Sequence, residues 1–485
     1  MWIDDIGIGI LIVLCTAIPV CVLAALVLSA HCRSQRLRAA VLGATLIHEV
    51  VLIGYPGLYE AITKFRIEKA LEIAPYRLLV VYIGEAVFVI LFSFMLSYGG
   101  NNPNRERNRR PMSNAFLNRD HIFLSFLVIA AGGLYAGQFL NPTVDYQGLA
   151  NHYQIANNST LSAYVIDWGG TVVRWPGLFA AGFVVANRSV RQIVRIAGVV
   201  VLFAELVYSM VNGTRGGVVW VVSAIGLAGY CKYNKRPLVW AGILTFALLP
   251  LLSWMHTNMR YVTLEAPQGT KNWMMMPALI EGMIHREVLE SSSVGSSFAE
   301  AWAIRAVGPL DSTVLYKLYD KGDAASIRPI LGALLLPIPH TLWSDKPMAG
   351  STDSTNLGSA IYRVQQDKPD SAFYDMGPVL ASAHAYWEGG WIWLCVAALM
   401  TGWIWNKLLA WAEHAQSDSI AVIVLVFTAG LPIDGFFSAL TPLFAYVRLL
   451  WITLLPLSLI LMVLKGRMRR KDSSGLLVAI ELTGS

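Results

Sequence analysis

Three groups of residues in this chain have the types and spacing to do chemistry. The first is Asn212-Gly213-Thr214-Arg215-Gly216-Gly217, in which glycines surround one arginine. Such a turn can aim backbone amides at an anion while the guanidinium clamps it bidentately, or it can be a short hairpin whose Arg reaches lipid headgroups. The second is a set of cations between 257 and 379, namely Arg260, Arg305, Arg328, Lys346 and Arg363. A cavity lined by them suits a phosphate-bearing lipid, although Asp311, Asp320, Asp323 and Asp345 could instead pair with them as weak surface bridges. The third is Ser382-Ala383-His384-Ala385-Tyr386-Trp387-Glu388-Gly389-Gly390. His384 and Glu388 are four residues apart and so share one helical face, with Tyr386 and Trp387 as rings on which a sugar can stack. The pair can take a proton from a sugar hydroxyl, or His384 can be a structural residue at a helix mouth.

The elements that must position these groups are membrane helices. Of 485 residues 55% are apolar and 14% charged, with a mean hydropathy of +0.53. Soluble domains carry about a quarter of their residues as charges, and a disordered chain needs few hydrophobics, so both classes are excluded. Five cysteines without paired spacing provide no disulfide framework. Eleven stretches approach the roughly 20 apolar residues that a span needs: 8–29, 41–59, 77–98, 121–140, 170–186, 193–211, 217–230, 237–256, 380–405, 419–432 and 443–464. The first, led by Met1-Trp2-Ile3-Asp4-Asp5, has an acidic flank unlike that of a cleaved signal. Alternate loops hold 20 of the 37 Lys and Arg residues, which puts those loops in the cytoplasm, the N-terminus outside and the C-terminus inside. The expected fold is all-α and polytopic, because only helices or closed barrels satisfy their backbone in lipid. Its parts are residues 1–256 with eight spans, a large outer loop over 257–379 with short helices, 380–464 with three spans, and a cytoplasmic tail over 465–485. Within the loop, apolar 330–338 is too short to span and reads as re-entrant or interfacial.

Ionisable residues inside the spans are His48, Glu49, Glu85, Glu205, Asp434 and Arg448. They can form a relay or hold helices together. Asp434 and Arg448, at the outer ends of the last two spans, are placed to pair across a cavity, and the three glutamates read as structural. Gly133 and Gly137 form a GxxxG that suggests close helix packing. The chain has no GxxxxGK[ST], HExxH, CxxC, Asp-x-Asp or GxSxG, so neither a cofactor, a bound metal nor a nucleic-acid partner is expected.

One further run has a distinct character: Pro337-Ile338-Pro339-His340, then Trp343, then Asp345-Lys346-Pro347. Its prolines impose an extended path. Together with Ala303-Ile304-Arg305, Arg328-Pro329, Ser351-Thr352 and the Gly213-Thr214-Arg215-Gly216 turn, it resembles the oligosaccharide repeat-unit polymerases, the Wzy-type O-antigen and capsule polymerases. The resemblance covers roughly 205–450. It departs at His340, where the family usually has Arg, and at Glu388-Gly389, which stands in changed context. The resemblance implies an outer-leaflet glycosyltransferase of GT-C-like fold in a bacterial inner membrane. Its substrate is a polyprenyl-pyrophosphate-linked oligosaccharide, and a chain-length regulator is a possible partner. Arg215, Arg305, Arg328, Lys346 and Arg448 would hold the pyrophosphate, and His384, Glu388 or His340 would act as base. Tyr386, Trp387, Trp343 and Asp434 would contact sugar. A glycan ligase using the same lipid carrier, or a secondary transporter or flippase, are the competing classes.

Overall fold

The computed structural model describes residues 5–33, 35–65, 74–98, 120–140, 161–187, 190–211, 216–233, 308–322, 324–335, 379–415, 420–430 and 440–464, with positions 277, 338, 342 and 343. Secondary structure among them is entirely helical, so the fold class is all-α. Among the described residues five helices are long and apolar enough to cross a membrane: Asp5–Cys32, Leu37–Thr63, Pro75–Ser97, Ala381–Glu413 and Leu443–Leu464. The stretches expected at 121–140, 170–186, 193–211, 217–230 and 419–432 also fall on helices, whereas 237–256 lies outside the described residues.

In chain order the helices are α1 (Asp5–Cys32), α2 (Arg36–His48), which continues through a π-helical turn (Glu49–Gly54) into α3 (Tyr55–Thr63), α4 (Pro75–Ser97), α5 (His121–Leu140), α6 (Leu161–Ala186), α7 (Gln192–Val211) and α8 (Gly216–Tyr233). Then come α9 (Gly308–Asp320), α10 (Arg328–Leu335), α11 (Ala381–Ala415), α12 (Ile420–Gly430) and α13 (Leu443–Leu449), which also runs on through a π-helical turn (Leu450–Leu454). Arg328–Leu335 is therefore a short helix that overlaps the segment over 330–338 expected to be re-entrant or interfacial.

The distribution of polarity is the reverse of a soluble protein's. Ile6, Ile10, Leu14 and Ile18 make an exposed apolar stripe on α1, while Thr45, Glu49, Glu60, Glu85, Ser93, Glu205 and Thr401 are buried. Lipid-facing helices are expected to look like this, since hydrocarbon solvates apolar side chains and cannot solvate polar ones. Some buried hydroxyls are satisfied locally: Thr45 and Thr428 donate to the carbonyls of Val41 and Val424.

Helices α4 and α11 form the spine. Leu394 lies against Gly84, and Gly402 faces Phe92 and Met95. Further along, the Asn406 amide donates to the carbonyls of Met95, at 3.2 Å, and Tyr98. Contacts thus advance in the same direction on both helices, and the pair is parallel. A methyl at position 402 would come 2.6 Å from the Phe92 carbonyl, so glycine sets how closely the two backbones approach. By contrast, Gly133 and Gly137 face nothing within 4 Å; among the described residues the expected close packing at GxxxG is not found. A tight approach occurs at Gly182 instead, where an added Cβ would lie 2.6 Å from the Ala224 carbonyl and so joins α6 to α8.

Arg38 closes one end of the spine by donating to the Leu96 carbonyl at 2.8 Å and to Asn406 Oδ1 at 3.0 Å. The last carbonyls of α4 have no partner within their own helix, and these side chains supply one. Asp120 does the reciprocal work at α12, where its Oδ2 accepts the Ala421 amide at 2.8 Å.

Candidate functional site

The key to the site is a reversal inside α11. Gly389 (φ −167°, ψ 27°) and Gly390 (φ 68°, ψ −159°) leave helical geometry. In a straight helix Ser382 and Leu394 would be about 18 Å apart. Here Ser382 bonds Glu85 and Leu394 touches Gly84, adjacent residues of α4. The chain therefore folds back on itself at the Gly-Gly pair, and 381–388 is a short arm packed beside the long helix that starts at Trp391. Gly390 has a positive φ that side-chain-bearing residues rarely adopt, and an added Cβ would sit 2.5 Å from the Tyr319 hydroxyl.

That arm carries His384, Tyr386, Trp387 and Glu388, all buried. Its start is pinned by the Leu380 amide, which donates to Ser312 Oγ at 3.0 Å. Its end is pinned by the Ala325 amide, which donates to the Trp387 carbonyl at 3.0 Å. The Trp393 indole N–H donates to Glu388 Oε2 at 2.6 Å, while Oε1 has no hydrogen-bond partner among the described residues. His384 Nδ1 likewise has none; its ring meets Phe444 edge-on, with centroids 5.5 Å apart. Tyr386 donates to Asp320 Oδ1 at 3.2 Å. Its ring is covered on one face by Tyr316, stacked at 4.0 Å, and is flanked edge-on by Tyr319 and Trp391.

Phe444 is the meeting point of three elements. On α13 it packs with Ala333 and Ile330 of α10 and with His384 of the arm. Arg448 lies one turn beyond Phe444 on α13 and is half-buried, and Arg328 is the exposed first residue of α10. The elements that carry Arg328, His384 and Arg448, picked out in sequence, meet at Phe444. Trp343 is described and 44% exposed. Arg215, Arg305, His340, Lys346 and Asp434 lie outside the described residues, and so does the expected Asp434–Arg448 pairing.

Two groups were not anticipated from residue types. At the start of α4, Arg77 stands with Lys317 and Lys321 of the α9 region; burial first, then the charges of Lys321 and Arg77, hold the Lys317 ammonium below the usual lysine range. Clustered like charges of this kind favour an anion. Inside the helical body, Arg174 makes a two-pronged bond to Glu205, with Nε at 3.1 Å and NH2 at 2.9 Å, and Tyr135 donates to the same carboxylate. The guanidinium also lies over Tyr208 and Trp175, 4.6 and 5.0 Å from the ring centroids. This network ties α5, α6 and α7 together and has a structural character. Among the described residues no group of three His, Cys, Asp or Glu is gathered that could hold a metal ion.

Compared with protein-family models, with curated proteins and with solved structures, the chain has no match.

Proposed function

We propose that this protein is a glycosyltransferase of the bacterial inner membrane that polymerises polyprenyl-pyrophosphate-linked oligosaccharide repeat units at the outer leaflet, on a GT-C-like fold of about eleven spans. The observation that carries the reading is the convergence at Phe444. A buried arm bearing a His and a Glu, each with one atom that no described residue bonds, meets two arginine-bearing elements. The motifs around Arg215, Arg305 and Pro337–Pro347 support it from the sequence side.

The chemistry suits these residues. A hydroxyl of the incoming lipid-linked unit attacks the anomeric carbon of the growing chain. The bond from that carbon to the pyrophosphate oxygen breaks, and polyprenyl pyrophosphate departs. Glu388 or His384 takes the hydroxyl proton, with His340 the third candidate. Charge grows on the pyrophosphate as it leaves, and Arg215, Arg305, Arg328, Arg448 and Lys346 would stabilise it; Arg77, Lys317 and Lys321 extend the cationic surface. The pyrophosphate brings its own activation, which fits a chain without a nucleotide-binding loop. Holding both substrates in one cleft lowers the barrier further through orientation.

Purified protein given lipid-linked repeat units alone should produce a ladder of products. Arg215→Ala and Arg305→Ala should abolish elongation without altering membrane insertion or amount. Product lengths like those of the wild type in both variants would reject the site assignment. A ladder-free reaction that proceeds only when a second acceptor is supplied points to a ligase. The buried carboxyl pair described next favours one other reading, a transporter or flippase of lipid-linked sugars, and lipid flux in proteoliposomes that survives Arg215→Ala would support that reading.

A further inference from the structure

One polar cluster lies outside the junction at Phe444 and has no role in the glycosyl transfer. Where α2 gives way to the π-helical turn, His48 Nδ1 is 3.2 Å from Glu49 Oε1. Glu49 and Glu85 are each 1% exposed and their carboxyls act on one another, while Glu85 Oε1 has no hydrogen-bond partner among the described residues. Ser382 Oγ, at the start of the arm, donates to Glu85 Oε2 at 2.5 Å. The same π-helical turn is tied to α4 by the buried Tyr82 hydroxyl, which donates to the Ile53 carbonyl at 3.2 Å. A second observation points into the same cluster. Tyr316 of α9 is 4% exposed and its hydroxyl has no hydrogen-bond partner among the described residues. That oxygen is aimed at the backbone of Gly84, beside Glu85, where a Cβ would collide with it.

Ionised carboxylates have no donor, so a hydrogen bond between two of them requires a proton on one. Two negative charges at this separation in an apolar interior would repel strongly. The titratable or polar groups facing the pair are His48 from α2, Tyr316 from α9 and Ser382 from α11. None of these is a permanent cation, so among the described residues nothing fixed neutralises a doubly charged pair.

We propose that Glu49 and Glu85 form a proton-binding site within the membrane body, holding one proton between them, and that Ser382 couples this site to the arm bearing His384 and Glu388. The proton moves between carboxyl oxygens, and no other bond forms or breaks. Releasing it leaves two negative charges in apolar surroundings, and the Ser382 hydroxyl, with the neighbouring Tyr316 hydroxyl, is what stabilises whichever carboxyl stays ionised. The position of the arm and the occupancy of the site are therefore linked. This inference stands on the cluster's geometry and does not depend on the glycan reading.

The test is infrared spectroscopy of the full-length protein in lipid nanodiscs at neutral pH, in water and in heavy water. The wild type should show a protonated-carboxyl stretch that shifts on deuteration. That band should change in frequency or intensity in Glu49→Gln and in Glu85→Gln, stay as it is in Asp320→Asn, and shift in frequency in Ser382→Ala. A wild type without the band, or one whose band is unchanged in both glutamine variants, overturns the site. Should a glutamine variant not fold, the Ser382→Ala spectrum decides: an unshifted band overturns the coupling. A missing wild-type band together with a melting temperature raised by sodium but not by choline would mean a bound cation in place of the proton, which also overturns the proposal.

Discussion

The bonds that matter at the residue scale join partners that local reading treats singly. Glu205 reads in sequence as one intramembrane acid among several, and it becomes half of an ion pair only when Arg174, 31 residues earlier, is set against it. Removing one member of a buried pair leaves an uncompensated charge, at a cost of roughly 3–5 kcal/mol. Arg174→Ala should therefore lower thermal stability in detergent markedly. The double change Arg174→Met with Glu205→Leu should lose less, since no lone charge remains. Equal losses in the single and double variants would show that packing rather than charge dominates there. His384 and Glu388 were legible as candidates from their four-residue spacing. Ser382 was not, because its meaning depends on Glu85, which is 297 residues away in sequence.

Helices are the scale at which hydropathy works best, and also where it misleads. The stretches read at 8–29 and 77–98 correspond to Asp5–Cys32 and Pro75–Ser97, because a long apolar run in lipid has no alternative to a helix. The run at 380–405 reads as one straight span, yet it contains the reversal at Gly389–Gly390. Hydropathy averages over backbone direction and cannot register a positive φ. Gly390→Ala should cost about 1–3 kcal/mol from backbone strain alone, and more from collision with the Tyr319 hydroxyl. If the reversal positions the arm, this variant should lose elongation activity while still inserting in the membrane. Combining it with Tyr319→Ala should recover only the part of the stability loss due to the collision. Full recovery of both stability and activity would mean that the φ at 390 has no importance.

For the whole molecule, the distribution of Lys and Arg predicts which ends face the cytoplasm, and the parallel α4–α11 spine requires Arg38, Tyr98 and Asn406 to share one side. That arrangement is testable with cysteines. Cys32, at the end of α1, is exposed. A variant keeping only Cys32 should resist an impermeant maleimide in intact spheroplasts and react after permeabilisation. A single cysteine introduced as Lys321→Cys should react in both. The reverse pattern would invert the orientation and place the cationic surface at Lys317 and Lys321 on the cytoplasmic side. The spine also dictates an order of events during synthesis. Glu85 enters the bilayer long before Ser382 exists, and at roughly 5–20 residues per second the wait is about 15–60 s. Asp120 and Ala421, 301 residues apart, and Arg38 and Asn406, 368 apart, face the same delay. The early helices must therefore be held as an open assembly until the last quarter of the chain arrives. A premature stop before α11 would leave Arg38, Glu85 and Asp120 without these partners, and the fragment should be a substrate for the quality-control proteases of the membrane.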